Sequence, residues 1–290
     1  MSVLVNKQTK VMVQGMTGLQ ASFHVKRAIE LGTNIVAGTS PRQNLTEYLG
    51  LPIYKNVADL VQETKAEADI IFTPARFVKD SVKEAAEAGI QTIVSIAYGV
   101  PVHDMLEIKS IVKANGTRFI GPNTPGVITP SEACLGIFPD GIYQKGSIGI
   151  VSRSSTLTYE AVLETSKAGF GQSTVVGLGD DIIIGTDFKD IVSLFNADSK
   201  TKAVLLIGSL GGTYEEEFAQ YYQSLTNKKK VVAYVAGSDI PFNENMGYAS
   251  DIITQGKISV ADKKRALENA GIIVAESLTQ IGKIFAELQC

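Results

Sequence analysis

The sequence predicts an α/β protein whose parallel sheets are covered by helices on both faces. Three observations carry this. Short apolar runs such as Lys10-Val-Met-Val13 and Thr92-Ile-Val-Ser-Ile96 alternate with helical stretches along the whole chain. Most of these runs open into small or Gly-containing turns, where a parallel sheet gathers its ligand-binding loops. The composition agrees: 44% hydrophobic and 20% charged residues with 27 Gly in 290 suit one large or two ordinary α/β domains.

The first strand runs into Gly15-Met-Thr-Gly18, and a helix is expected from Gln20 to Leu31, stopped by Gly32. The unit then repeats. Strands are expected at Ile35–Gly38, Pro52–Tyr54, Ile70–Thr73, Thr92–Ile96 and Arg118–Ile120, with helices near Val57–Thr64, Val78–Ala88 and Met105–Ala114. The Pro- and Gly-rich stretch after Gly121 reads as a connection, which divides the chain into domains at 1–125 and 147–290 with 126–146 between them. A second series opens with a strand at Ser147–Val151 and the polar turn Ser152-Arg-Ser-Ser-Thr156. Strands at Thr174–Leu178, Ala203–Ile207, Val231–Val235 and Ile272–Val274 follow, with helices at Phe188–Asn196, Glu215–Ser224, Ala261–Ala270 and Leu278–Leu288.

Several partners are excluded by composition. A net charge of −3 gives no footprint for nucleic acid or an anionic membrane. Apolar runs such as Ala203–Ile207 stop far short of a bilayer span, and the first residues lack a signal-peptide core. Cys134 and Cys290 offer neither a disulfide framework nor metal-ligand spacing, so no metal is expected and a reducing compartment is. That means the cytoplasm, or the mitochondrial matrix for a mature eukaryotic chain.

The strand ends hold the candidate sites. Gly15-Met-Thr-Gly18 brings free amides and a hydroxyl to a helix start, suited to a phosphorylated ligand. It is not a full Gly-x-Gly-x-x-Gly, and the second strand ends in Ala37-Gly-Thr-Ser-Pro-Arg42 with no acid for a ribose. A nicotinamide dehydrogenase is therefore disfavoured. Arg42 could meet a phosphate instead, although a solvated arginine is the simpler reading. Ser154, Ser155 and Thr156 read as helix caps that also favour an anion, and Gly208-Ser-Leu-Gly-Gly212 leads a second helix start that could converge on the same anion. Glu215 to Glu217 read as ordinary dipole compensation in a first helical turn. His24 and His103 read as structural. Ser154 and Ser155 lack the Gly-x-Ser-x-Gly context and downstream His of a nucleophile.

With these residues in view the chain resembles the alpha subunit of succinyl-CoA synthetase (succinate–CoA ligase). The matching runs are Gln14-Gly-Met-Thr-Gly-Leu-Gln20, Leu49-Gly-Leu-Pro52, Gly121-Pro-Asn-Thr-Pro-Gly-Val-Ile-Thr-Pro130, the stretch Gly149 to Glu160, and Gly169-Phe-Gly-Gln-Ser-Thr174. The resemblance implies a Rossmann-like CoA-binding domain followed by a flavodoxin-like ligase domain. It implies that Thr17, Gly18, Leu19 and Gln20 form the CoA loop, with Ile96, Ala97 and Tyr98 a second CoA contact. Tyr159 would touch a small carboxylate substrate, and Ser154–Ser155 and Gly211–Gly212 would hold a phosphate. A beta-type ATP-grasp subunit would be the partner and would bring ATP or GTP with Mg.

The departures point elsewhere. The family's Met-Gly-His-Ala, which carries the phosphohistidine, is here Met246-Gly-Tyr248-Ala249. Its supporting Glu is Ser209, the Gly of its Ser-Arg-Ser-Gly is Ser155, a CoA-facing Lys is Gln43, and a Glu near CoA is Tyr98. A phenol is almost wholly protonated at neutral pH and its phosphate ester is a poor donor, so Tyr248 does not simply replace an imidazole. The expectation is a CoA-binding alpha-subunit-like protein without the phosphohistidine step. The alternatives are an acyl-CoA ligase subunit using another phosphate route, and a regulatory or scaffold subunit.

Overall fold

The computed structural model describes residues 3–42, 44–237 and 259–288. Two compact units divide the chain. One comprises Leu4–Phe138 with Ile183–Thr186, and the other takes Pro139–Ile182 and resumes at Asp187.

In the first unit the chain runs β1 (Val11–Gln14), α1 (Leu19–Glu30), β2 (Ile35–Thr39), β3 (Glu47–Tyr48), β4 (Leu51–Tyr54), α2 (Val57–Thr64) and β5 (Ala68–Ile71). It continues through α3 (Val78–Glu87), β6 (Thr92–Ser95), α4 (Val102–Asn115), β7 (Arg118–Ile120) and the antiparallel hairpin β8 (Gly126–Thr129) and β9 (Ala133–Gly136). The sheet order β3-β4-β2-β1-β5-β6-β7 places β1 between β2 and β5, the strand order of a Rossmann-like sheet with an added edge hairpin. Period-two alternation sorts the side chains. Met12, Ala37, Ile71, Ile93 and Phe119 face a core completed by Leu60 of α2, Val82 of α3 and Ile108 of α4. Each such fully buried aliphatic side chain contributes about 1.5–3 kcal/mol relative to exposure.

The sheet is not wholly parallel. β3 pairs antiparallel with β4, Glu47 opposite Pro52 and Tyr48 opposite Leu51. Leu49 (φ 54°) and Gly50 (φ 74°) form the two-residue turn, whose positive φ at both positions matches the twist of a tight hairpin. A two-residue strand beside a proline gave no periodicity to read. α4 starts at Val102, three residues before the expected Met105, because Pro101 opens it with two exposed residues, Val102 and His103, outside the apolar pattern. The stretch 126–146 carries the β8–β9 hairpin, and the first unit extends past 125 to Phe138.

The second unit runs β10 (Lys145–Ser152), α5 (Ser155–Lys167), β11 (Gln172–Gly177), α6 (Phe188–Ala197), β12 (Ala203–Gly208), α7 (Tyr214–Ser224) and β13 (Lys230–Val235). After the undescribed residues come α8 (Val260–Asn269), β14 (Ile273–Val274), a 3-10 turn at Leu278–Gln280 and α9 (Ile281–Glu287). The expected single helix from Leu278 is thus a tight turn capped by Ser277 followed by a two-turn helix. All pairings among these strands are parallel, in the order β14-β13-β12-β10-β11, which is the flavodoxin-like order. β12 is buried at every residue from Ala203 to Gly208, as a central parallel strand must be. No helix among the described residues is long and apolar enough to cross a membrane.

Candidate functional site

Open parallel sheets bind ligands beyond their strand C-termini, where the strand order reverses. In the first unit that point lies between β1 and β5. β1 ends in a turn where Gly15 takes φ 77° and Gly18 stands as N-cap of α1. α1 has no side-chain cap and no acid in its first turn, so its N–H groups and dipole are left for an anion. Gly18, Leu19 and Gln20 are exposed there, while Thr17 is buried. The Thr17 Oγ1 atom lies 2.6 Å from Ser40 Oγ and ties the β1 turn to the β2 turn. Ser40 Oγ also accepts the Arg42 backbone N–H at 3.1 Å, and the Arg42 side chain is exposed. Ile96 and Ala97 lie half-buried after β6 on the same sheet edge, with Tyr98 exposed. Gln43 lies outside the described residues.

His24 stacks on Phe72 with ring centroids 6.2 Å apart, and burial lowers its pKa, so it is a neutral packing residue. His103 pairs with Glu107 across one turn of α4 at 3.1 Å. Asp104 and Glu107 beside it share the Lys79 ammonium at 3.1 and 3.2 Å, which occupies the place a cation would take. Cys134 is buried and its thiol is pushed up to about 12, leaving an inert core residue.

In the second unit the strand order reverses between β10 and β12. Ser154 caps α5, its side chain accepting the Leu157 N–H at 3.4 Å, and Ser152 Oγ braces the turn by accepting the Ser154 N–H at 3.1 Å. Ser155 is the first helical residue and half-buried, as is Tyr159 one turn on. Capping and anion binding are compatible here, because the cap uses only one of the first-turn donors.

The turn after β12 is joined to this one by Arg153. Its side chain is fully buried, Nη1 donates to the Gly211 carbonyl at 2.5 Å, and the guanidinium lies 4.7 Å over the Tyr214 ring. Nε and Nη2 have no hydrogen-bond partner among the described residues, and Asp180 Oδ1 stands 3.4 Å from Nη2. Ser209 donates its hydroxyl to Asp180, and burial pushes the Asp180 carboxyl above its usual range against the pull of Arg153 and Ser209. Gly212 takes φ 76°, and a Cβ there would press on the Tyr214 ring at 3.1 Å.

Glu215 corrects the sequence reading. It is fully buried, accepts the Ser209 N–H at 2.9 Å and pairs with the fully buried Lys263 Nζ at 2.5 Å. Lys263 also donates to the Gly212 carbonyl at 2.7 Å and approaches Glu216 at 3.3 Å. This is an internal ion pair that holds the β12 turn, not a solvated response to the helix dipole. Nothing local marks Lys263; its neighbours in Ala261-Asp-Lys-Lys-Arg265 read as an ordinary charged helix. Asp180 was also missed, although two acids directly after a strand in Gly177-Leu-Gly-Asp-Asp181 are a signal. Tyr248 lies outside the described residues.

A Rossmann-like unit with an uncapped helix start is followed by a flavodoxin-like unit whose two helix-start turns are joined by Arg153. The CoA binding domain family matches residues 6–99 and the CoA-ligase family residues 151–279. The chain is 46% identical to the succinate–CoA ligase (ADP-forming) alpha subunit of Aquifex aeolicus over 290 residues, covering 99% of this chain and 95% of that one. Against alpha subunit 2 from Archaeoglobus fulgidus it is 47% identical over 288 residues, covering 99% of this chain and all of the other. Among solved structures, a Methanosaeta concilii ATP citrate lyase (D541A mutant) in complex with (3S)-citryl-CoA superposes with a TM-score of 0.88 at 22% identity. That match covers 99% of this chain and 50% of the lyase, and it speaks for the fold. The chain belongs to the family of succinate–CoA ligase alpha subunits.

Proposed function

We propose that this chain is an alpha-type subunit that binds CoA at the α1 start, pairs with a beta-type ATP-grasp subunit supplying ATP or GTP with Mg, and carries no phosphate on Tyr248. The observation that carries this reading is Tyr248 where the family's phosphohistidine stands, together with Ser209 in place of its supporting acid. An imidazole nitrogen is nucleophilic at neutral pH; a phenol is not. Ser209, which takes the place of the family's supporting acid, is buried and already donates to Asp180. It offers no charge to orient a ring. Thr17 to Gln20 with Ile96, Ala97 and Tyr98 are the proposed CoA contacts. Ser154, Ser155, Gly211 and Gly212 form the proposed phosphate cradle, with Tyr159 beside the carboxylate substrate.

The joining of the two proposed cradle turns through Arg153 favours a second reading, an active acyl-CoA ligase subunit in which phosphate passes directly from nucleotide to carboxylate. One assay separates them. The chain is incubated with radiolabelled ATP, Mg and a beta-type subunit, with and without succinate and CoA. No label on the protein and no acyl-CoA is the expected result. Acyl-CoA without protein label would establish the direct route, and acid-stable label on Tyr248 chased by succinate and CoA would overturn both readings.

CoA binding has its own test. Gly18 has φ −67°, and an added Cβ would meet only the Gly15 carbonyl at 3.5 Å and Ala21 Cβ at 3.8 Å. A Cβ is thus accommodated at Gly18, and Gly18→Val adds an isopropyl group at the open helix start; circular dichroism of the variant checks that the fold is kept. Calorimetry should show one CoA per wild-type chain and at least about a hundredfold loss in the variant, since an isopropyl-sized obstruction at a backbone contact costs a few kcal/mol. Unchanged affinity would move the CoA site elsewhere.

A further inference from the structure

The β3–β4 hairpin sits at the edge of the first sheet, yet it reaches the start of α1. Tyr48 Oη lies 2.8 Å from Ser22 Oγ. Ser22 Oγ in turn donates to the Gly18 carbonyl at 2.7 Å, with the Met16 carbonyl further off at 3.4 Å. A serine hydroxyl has one proton to give. Because that proton goes to a carbonyl of the turn, the phenol is the donor in its pair with Ser22. The relay therefore runs from the Tyr48 O–H to Ser22 Oγ, and from the Ser22 O–H to the Gly18 carbonyl. It joins residues 26 positions apart, and both side chains are half-buried.

We propose that Tyr48 is a positioning residue for CoA, acting through Ser22 on the peptide between Gly18 and Leu19. The inference rests on the reading of the α1 start as a CoA site, which the match of residues 6–99 to the CoA binding domain family supports. Peptide planarity carries the argument. The Gly18 carbonyl and the Leu19 N–H belong to one rigid unit and point in opposite directions, so whatever fixes the carbonyl aims the N–H. Leu19 is the first residue of α1, and its N–H has no partner within the helix; it is one of the donors left for a phosphate. The Gly18 carbonyl accepts twice, from the Ser22 N–H at 2.8 Å and from the Ser22 hydroxyl. The second bond draws more electron density onto the oxygen, which polarises the same peptide and makes its N–H the stronger donor. Without the Tyr48 hydroxyl, Ser22 is released to turn toward the Met16 carbonyl or water, and both effects are lost.

The turn before α1 is held in the same manner from the β2 side, where Thr17 Oγ1 and Ser40 Oγ lie 2.6 Å apart. Hydroxyl pairs from the β2 turn and from the hairpin thus brace one helix start. The tight Leu49–Gly50 turn, with both residues at positive φ, sets where Tyr48 stands on its strand. A two-residue edge strand adds little to the sheet, and this contact gives the hairpin a task at the ligand end of β1.

The full-length chain is titrated with CoA by calorimetry as wild type, Tyr48→Phe, Ser22→Ala and the double variant, with circular dichroism checking each fold. Tyr48→Phe keeps the ring and loses only the donor, so CoA binding should weaken about threefold to tenfold, the worth of one hydrogen bond. Ser22→Ala should weaken it by a similar factor. The double variant should bind within about twofold of Ser22→Ala alone, because a relay cut at one link loses nothing more at the next. Losses that multiply would overturn the relay, since a Tyr48 that touches CoA itself or merely steadies the hairpin gives that result. A second reading comes from the unliganded protein. With isotopically labelled leucine, the Leu19 amide resonance, assigned through Leu19→Met, should shift in both single variants. An unmoved Leu19 amide, or unchanged CoA affinity in Tyr48→Phe, would overturn the proposal and leave the CoA site standing. Unchanged affinity in Ser22→Ala does so whether or not Tyr48→Phe folds. No heat from CoA with wild type would overturn the CoA reading, and this inference with it.

Discussion

Lys263→Met is expected to lower the unfolding free energy by about 3–5 kcal/mol, and adding Glu215→Gln is expected to recover most of that loss. Both side chains are fully removed from solvent and lie 2.5 Å apart. A buried ion pair contributes little relative to a well-packed apolar replacement, because desolvation offsets most of the attraction. Removing one partner is different, since the other charge stays buried and uncompensated. In the single variant Glu215 keeps only the Ser209 N–H, and Glu216, itself 20% exposed, loses its neighbour too. In the double variant a neutral amide can still accept from Ser209. Urea unfolding monitored by circular dichroism measures both. A single variant within 1 kcal/mol of wild type, an order-of-magnitude threshold for a surface pair, would show that water reaches Lys263.

The second large effect is a pH dependence in the first unit. Asp69 on β5 is fully buried, and burial pushes its carboxyl up to about 7 even though Gln14 Nε2 donates to Oδ2 at 2.7 Å. The opposite carboxylate atom, Oδ1, has no hydrogen-bond partner among the described residues. The folded pKa lies above the unfolded one, so the native state holds the extra proton between about pH 4 and 7. Its stabilising contribution is complete below the unfolded pKa and is lost as pH rises through the folded value. With a shift of about three units, the loss is of order 4 kcal/mol by pH 8. Asp69→Asn cannot ionise. The stability of the variant relative to wild type should therefore climb by that order between pH 4 and pH 8, whatever the fixed cost of the amide's extra donor. Guanidinium unfolding of both proteins at the two pH values is the measurement, and a constant difference would mean that Asp69 is not the titrating group.

How much of this was legible depends on whether the signal is local. α2 from Val57 to Thr64 was read to the residue because Asn56 caps it and its apolar stripe is regular. The turns at the strand ends were legible because small residues and hydroxyls there are adjacent in sequence. β3 escaped because two residues have no period. Lys263, Glu215 and Asp180 escaped for another reason. Their meaning lies in a buried juxtaposition: Lys263 follows Glu215 by 48 positions, and no pattern within α8 separates a buried lysine from a solvated one. The family resemblance supplied the roles of Ser209 and Tyr248, yet resemblance compares positions one at a time. It could not show that the hydroxyl of Ser209 has a carboxylate waiting for it.

The return of Ile183–Thr186 to the first unit constrains how the protein is made. Thr186 Oγ1 donates to the Phe119 carbonyl at 2.7 Å, and the Gly185 N–H donates to the Gly121 carbonyl at 2.9 Å. On a ribosome, the amino-terminal Rossmann-like sheet cannot close its last contacts when Phe138 emerges; it must wait for Thr186, after β10, α5 and β11 have been synthesised. The two units are therefore interleaved in their order of birth, and a gene cut anywhere between them leaves one half missing a piece held by the other.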